Sequence, residues 1–151
     1  MSDTLFYKRS TFVTHLPVRY RYSPSHFWLE PAGPKLWKIG FTKFATRMLG
    51  EIVDHQWEKA AGDPVDSGEI LGSVEGFKAI SDLYCVAVGN FVEGNPILRD
   101  DAGLINKDPY GKGWLYIIEG EPDSKCVDLN GYKALLDATI DRILDNQHSP
   151  E

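Results

Sequence analysis

Apolar residues in this chain fall mostly in short runs. Ile70-Leu71-Gly72-Ser73-Val74 and Leu83-Tyr84-Cys85-Val86-Ala87-Val88 are rich in strand formers and too short for ordinary helices. Between them lies Val74-Glu75-Gly76-Phe77-Lys78-Ala79-Ile80-Ser81-Asp82. Lys78 is therefore expected on an exposed connection held by a strand on either side. Upstream, residues 26–29 and 36–39 flank the turn Pro31-Ala32-Gly33-Pro34 and read as a hairpin. Thr42 is placed to cap a short helix through Thr46 and Met48 that ends at Gly50, with Phe44, Ala45, Met48 and Leu49 on its buried side. Strand pattern resumes at Ile52-Val53, and the polar segment 54–59 reads as a strand edge or a loop.

Further on, 99–103 reads as a loop or a brief helical turn, and Asp108-Pro109-Tyr110-Gly111 as a tight turn. Residues 114–118 form the clearest strand, broken by Glu121-Pro122-Asp123. Leu129, Tyr132, Leu136, Ile140 and Ile143 recur at steps of three and four. They predict a C-terminal helix, capped by Asp128 or Asn130 and ending near 146, that covers the domain. Residues 1–21 show little periodicity. Phe6, Tyr7, Phe12 and Val13 are expected to pack that extension against a single unit spanning 22–146, with 147–151 as a flexible tail. Val65 and Val92, Asp66 and Glu93, Ile70 and Ile97, and Leu71 and Leu98 match at a constant offset of 27 residues. The offset suggests two similar half-units about Lys78.

Composition narrows the function. The 151 residues suffice for one domain with a real core, and the fold class is mainly β, a flattened barrel or a sandwich. A formal net charge of -6 argues against a general nucleic-acid or anionic-membrane binder. Arg19, Arg21 and Lys35 read as a solvated face. The lack of a long apolar run and of a secretion-type N-terminus sets a cytoplasmic expectation. The two cysteines fit neither a disulfide scaffold nor a zinc cluster. Cys85 reads as buried, and the polar surroundings of Cys126 predict an exposed thiol. His15, His26 and His55 are dispersed, with no catalytic triad, phosphate loop or metal-ligand spacing around them, so the chain is not read as an enzyme.

The stretch around Lys78 resembles the lipoyl-attachment site of the glycine cleavage system H protein family, through Glu75, Lys78, Ala79, Ser81 and Asp82. A second block, Asn106-Lys107-Asp108-Pro109-Tyr110-Gly111-Lys112-Gly113-Trp114-Leu115, is similar to that family's Asn-x-Asp-Pro-Tyr-Gly-x-Gly-Trp-Leu run. Residues 23–28, 39–42 and 49–53 fit as well. The resemblance implies a barrel-sandwich hybrid of the lipoyl/biotinyl-carrier type, with small flanking helices and a C-terminal helix. It implies lipoic acid attached covalently to Lys78, with Glu75 and Asp82 read by a lipoate-attaching enzyme. Glu75, Asp82 and Asp66 are expected to put negative charge around the turn, and Gly76 to make it flexible. Phe77 beside the lysine is expected to line the arm or a docking surface.

The implied role is a carrier. It shuttles an aminomethyl group on the lipoyl-lysine between glycine decarboxylase (P protein), aminomethyltransferase (T protein) and dihydrolipoamide dehydrogenase (L protein). A monomer is expected, because the arm must stay exposed. The chain departs from the family pattern at 54–61, at Ser25 and Phe27 beside the histidine, and at Cys85-Val86. These departures bear on docking surfaces. They keep a second reading open, a divergent H-like lipoate-binding protein of sulfur metabolism carrying sulfur for a heterodisulfide-reductase-like complex. A biotinyl carrier fits less well, since Phe77 and Ala79 stand where biotin sites have methionine.

Overall fold

Residues 27–29 are apolar without alternation because their strand is buried on both faces. In the computed structural model, which describes residues 3–148, Phe27 and Leu29 enter one core and Trp28, between them, enters a second. The strand is β4 (Phe27–Gly33). It forms the expected hairpin with β5 (Leu36–Phe41) and pairs on its other side with the short β3 (Arg21–Tyr22). Beyond β5 the sheet continues through β11 (Tyr116–Pro122), β10 (Ala87–Gly94) and β7 (Pro64–Val65), giving six antiparallel strands in the order β3-β4-β5-β11-β10-β7. A three-stranded sheet of β6 (Ile52–Trp57), β8 (Ile70–Gly76) and β9 (Ile80–Tyr84) has β8 at its centre. Leu71, Val74 and Leu83 from this sheet meet Phe27, Ile39, Phe91 and Ile118 from the larger one in the first core. Burying one face of each sheet against the other is what makes the two layers stable.

The second core lies outside β4. Helix α3 (Leu129–His148) lays its stripe of Leu129, Tyr132, Leu136 and Ile140 over Tyr22 and Trp28, with the Tyr22 and Tyr132 rings stacked at 4.7 Å. Asp128 accepts from the Gly131 N–H, choosing between the two expected caps. The helix runs on through His148, past the expected end at 146, and 149–151 lie outside the described residues.

Residues 3–21 hold more order than their pattern suggests. An antiparallel hairpin, β1 (Thr4–Arg9) and β2 (Phe12–Pro17), packs on α3. Tyr7 and Phe12 are buried as expected, Val13 is half-buried and Phe6 is exposed. Tyr7 donates to Asp137 at 2.7 Å, and Arg9 pairs with Asp141 at 2.6 Å. Arg9, Asp137 and Asp141 are substantially exposed, so their ion pairs orient the hairpin more than they stabilise it.

Several expectations need correction. The 27-residue repeat has no structural counterpart: Ile70 and Leu71 lie in β8, whereas Ile97 and Leu98 lie in a 3-10 turn, Pro96–Arg99. Asn95 starts that turn by accepting from the Ile97 N–H, and Pro96 fixes the first helical position. The expected strand 83–88 is two strands in different sheets. Cys85 and Val86 make the crossover, their backbone bonded to Glu69, Gly68 and Asp123. The break expected at 121–123 comes late: β11 runs through Glu121 and Pro122, which still face Val88 and Ala87 in the ladder. Cys126 is buried, not exposed, and burial pushes both thiols up to about 11, so neither is a ready nucleophile at neutral pH.

Candidate functional site

The connection carrying Lys78 is a tight turn, 77–79, between β8 and β9. Gly76 N–H donates to the Ala79 carbonyl at 2.8 Å, closing it. The turn is then fixed from below. Phe77 N–H donates to Glu51 O at 3.0 Å, and Lys78 N–H to Leu49 O at 2.9 Å. Those acceptors belong to the end of α1 (Lys43–Leu49) and the link that follows it. Carbonyls in the last turn of a helix lack intrahelical partners, so the hairpin tip satisfies one of them.

The helix itself is as expected, with Thr42 as N-cap and Gly50, at φ 77°, as C-cap. Its buried side contains Thr46 in place of Met48. The Thr46 hydroxyl returns to Lys43 O at 2.9 Å and can be buried, while Met48 is 54% exposed beside the turn. Gly76 serves close approach and not flexibility: a Cβ there would lie 2.2 Å from the Leu49 carbonyl oxygen.

Asn106 underpins this platform. Its Nδ2 donates to Gly50 O at 2.9 Å, and its Oδ1 accepts from Ile52 N–H at 2.8 Å. One side chain thus clamps both ends of the α1–β6 link on which the Lys78 turn sits. Asn106 lies in α2 (Leu104–Lys107), and the loop after it is held by Trp28, whose Nε1 donates to Pro109 O at 2.8 Å. Tyr110 in the same loop is hydrogen bonded to Thr14 in β2 and to the Lys43 N–H at the start of α1. Asn106→Ala leaves a backbone donor and acceptor unpaired and is expected to cost about 2 kcal/mol. A urea midpoint equal to that of the parent protein would contradict the clamp.

The Lys78 side chain is exposed, and Nζ donates to Arg47 O at 3.1 Å. Phe77 and Ile80 on either side are each 74% exposed. Glu75 faces Ile80 across the β8–β9 ladder and Asp54 across the β6–β8 ladder, while Asp82 faces Ser73. Paired strand residues share a face, so Glu75, Asp54 and Asp82 stand on the outer face of the small sheet. Asp82 also lines a cleft of about 280 Å³ with Ser25, His26 and Tyr84. Asp66, by contrast, sits at the far end of β8, about 20 Å from the turn at ordinary strand rise, and takes no part in it. Sequence reasoning missed Asn106, Leu49 and Arg47 as supports of the turn. Asn106 does stand in the second motif block, but nothing in a linear pattern shows what it clamps.

His26 is structural. It lies at φ 72°, with Nδ1 hydrogen bonded to the Tyr132 hydroxyl at 2.9 Å. Burial lowers its pKa to about 4 from the ordinary 6.5, so the fold favours the neutral ring. The unfolded chain takes up the proton first as pH falls. The contribution is fully present above pH 6.5 and is lost between 6.5 and 4, a change of about 3 kcal/mol. The stability of the parent protein is therefore expected to fall more steeply over this window than that of His26→Gln. Parallel curves would contradict the assignment.

A lysine at the tip of the β8–β9 hairpin, in the smaller of two packed antiparallel sheets, is the arrangement of a lipoyl/biotinyl-carrier protein. Residues 20–139 match the family described as glycine cleavage H-protein. The chain is 36% identical over 125 residues to the glycine cleavage system H protein of Corynebacterium jeikeium, covering 81% of this chain and 98% of that one. It is 37% identical over 131 residues to that of Bacteroides fragilis, covering 82% and 99%. The crystal structure of a glycine cleavage system H protein from Mycobacterium marinum superposes with a TM-score of 0.71 at 32% identity, covering 79% of this chain and 97% of that one. The chain belongs to the glycine cleavage H-protein family, whose members carry lipoate covalently on a lysine. Among the described residues no helix is long and apolar enough to cross a membrane.

Proposed function

We propose that Lys78 is the lysine that carries lipoate, as an amide on Nζ, and that the chain serves glycine cleavage through it. The observation that carries this reading is the exposed Lys78 on a turn fixed by backbone bonds to Leu49 and Glu51, within the Glu-x-x-Lys-Ala match. The site fits the group: Nζ has open space around it, and an amide nitrogen keeps an N–H for the Arg47 carbonyl. When attached, lipoate supplies a redox-active sulfur pair on a long flexible tether.

The protein's part is presentation. The platform of Leu49, Gly50 and Asn106 holds the tether's origin still, so the reach of the tether sets the volume it samples. Glu75 and Asp82 on the outer face give a lipoate-attaching enzyme an acidic surface to read by charge complementarity. Phe77 and Ile80 supply exposed apolar area where a partner closes over the turn.

The partners in this reading are the glycine decarboxylase, the aminomethyltransferase and the dihydrolipoamide dehydrogenase of the system. A monomer suffices, with residues 22–146 as the carrier unit. The relatives named above are all glycine cleavage proteins, which favours this pathway over sulfur transfer. The test is reconstitution. The lipoylated protein is expected to support saturable, glycine-dependent bicarbonate exchange by a purified glycine decarboxylase, and the unlipoylated protein to support none. A lipoylated protein that gives only background exchange would overturn the pathway while leaving the carrier.

A further inference from the structure

The β1–β2 hairpin lies before the span 20–139 that matches the family, yet its tip reaches the platform under Lys78. Arg47 Nη2 donates to Thr11 Oγ1 at 3.0 Å, and the guanidinium carbon sits 5.4–6 Å class distance, 5.7 Å, over the Phe12 ring. Phe12 in turn meets Phe44 of α1 edge-on at 5.4 Å. An arginine normally loses rotamer freedom when a partner binds it, and here the hairpin has already fixed the side chain. The Arg47 carbonyl accepts from Lys78 Nζ, so a preset guanidinium stands beside the carrier lysine. Two more cations lie close by. Lys43, one helical turn before Arg47, and Lys107 of α2 line a cleft of about 450 Å³ together with Arg47 and Lys78. Glu51 is the single acid in that lining.

Lys43, Arg47 and Lys107 are all exposed, and among the described residues none of them stands in an ion pair. The chain as a whole carries a formal charge of -6, and the outer face of the small sheet next to the turn presents Glu75, Asp54 and Asp82. Lys78 therefore stands where a basic flank and an acidic one meet.

We propose that the basic flank of Lys43, Arg47 and Lys107 docks an acidic surface at the active-site entrance of glycine decarboxylase. The inference rests on the lipoylation and pathway reading above, in which that enzyme is the first to act on the chain after attachment. Amidation removes the charge of Lys78 and leaves the other three in place. The Arg47 guanidinium spends one N–H on Thr11 and keeps the rest for a partner carboxylate. Lys43 and Lys107 add steering, which acts on encounter. The attaching enzyme reads the acidic face instead. A surface that suits one flank is repelled by the other, so opposite charges sort the two partners.

The test is glycine-dependent bicarbonate exchange by purified glycine decarboxylase, with the lipoyl adduct on each carrier verified by mass. Lys43→Glu/Lys107→Glu is expected to raise the KM for the carrier about tenfold at low salt with kcat unchanged, and to flatten the salt dependence of the parent protein. Lys35→Glu/Lys125→Glu makes the same change in net charge at exposed positions at the other end of the sheets, and is expected to keep KM within about twofold of the parent. Lipoylation of both variants is expected at the parent rate. A parent-like KM for Lys43→Glu/Lys107→Glu, or an equal rise in both variants, would overturn the docking flank. Slower lipoylation with an unchanged KM would give the flank to the attaching enzyme and overturn the assignment to the decarboxylase. A lipoylated parent protein without exchange would overturn the pathway and the flank together, and a parent protein that takes no adduct would overturn the lipoylation reading as well.

Discussion

A Lys78→Arg protein is expected to fold, to melt close to the parent protein, and to carry no lipoyl adduct. A guanidinium stays protonated at any working pH and cannot form the amide. It still offers a donor to the Arg47 carbonyl, and the position is exposed. The stability change is therefore expected to stay within about 0.5 kcal/mol. Carrier function has no such reserve, because the turn presents only one lysine. Glycine-dependent exchange should fall to the level without carrier. An adduct persisting on Lys78→Arg would move the attachment to another lysine, and a large loss of stability would show that Lys78 is part of the scaffold.

Trp28→Ala is expected to be the most destabilising of the changes considered. The side chain is fully buried and lies directly across the ladder from Gly40, where a Cβ would come within 2.5 Å of the indole. Tyr20 packs on it at 5.0 Å between ring centroids. Truncating a buried tryptophan typically costs about 3–5 kcal/mol, a large part of the roughly 5–15 kcal/mol that holds a domain together. At about 2–4 °C per kcal/mol for this chain length, Tm is expected to drop by roughly 6–20 °C.

The same change removes the bond to Pro109 O, which holds the loop following Asn106. Lipoylation by the attaching enzyme is therefore expected to slow even at temperatures where the variant remains folded, because the platform under Lys78 loosens. A variant that melts with the parent protein would contradict the two-sided burial of β4. One that is destabilised yet lipoylated at the parent rate would contradict only the coupling through the loop.

Where chemistry and pattern agreed, the sequence was legible. Thr42 and Gly50 bound α1 because a hydroxyl cap and a left-handed glycine leave few alternatives. The stripe from Leu129 to Ile140 is the buried face of α3. Lys78 stands on its turn because two strand-forming runs flank it. The N-terminal hairpin was hidden by Thr14, a polar residue on the buried side of β2, satisfied there by Tyr110 from a loop far away in sequence. That one inward hydroxyl masks the alternation of Phe12, Thr14 and Leu16. The false repeat arose because similar residues serve a strand at 70–71 and a 3-10 turn at 97–98, where the Asn95 cap and Pro96 set the turn. Cys126 was misplaced because its polar neighbours face water while its own thiol turns toward Val86 O. The roles of Asn106 and Arg47 rest on contacts between distant segments, which no local pattern encodes.

The central claim is that Lys78 carries lipoate. Intact-mass measurement of the protein purified from cells that lipoylate their other carriers, followed by mapping of the peptide spanning 70–84, tests it most directly. The account predicts a mass increase equal to one lipoyl group, located on Lys78. An unmodified Lys78 in such cells would contradict it.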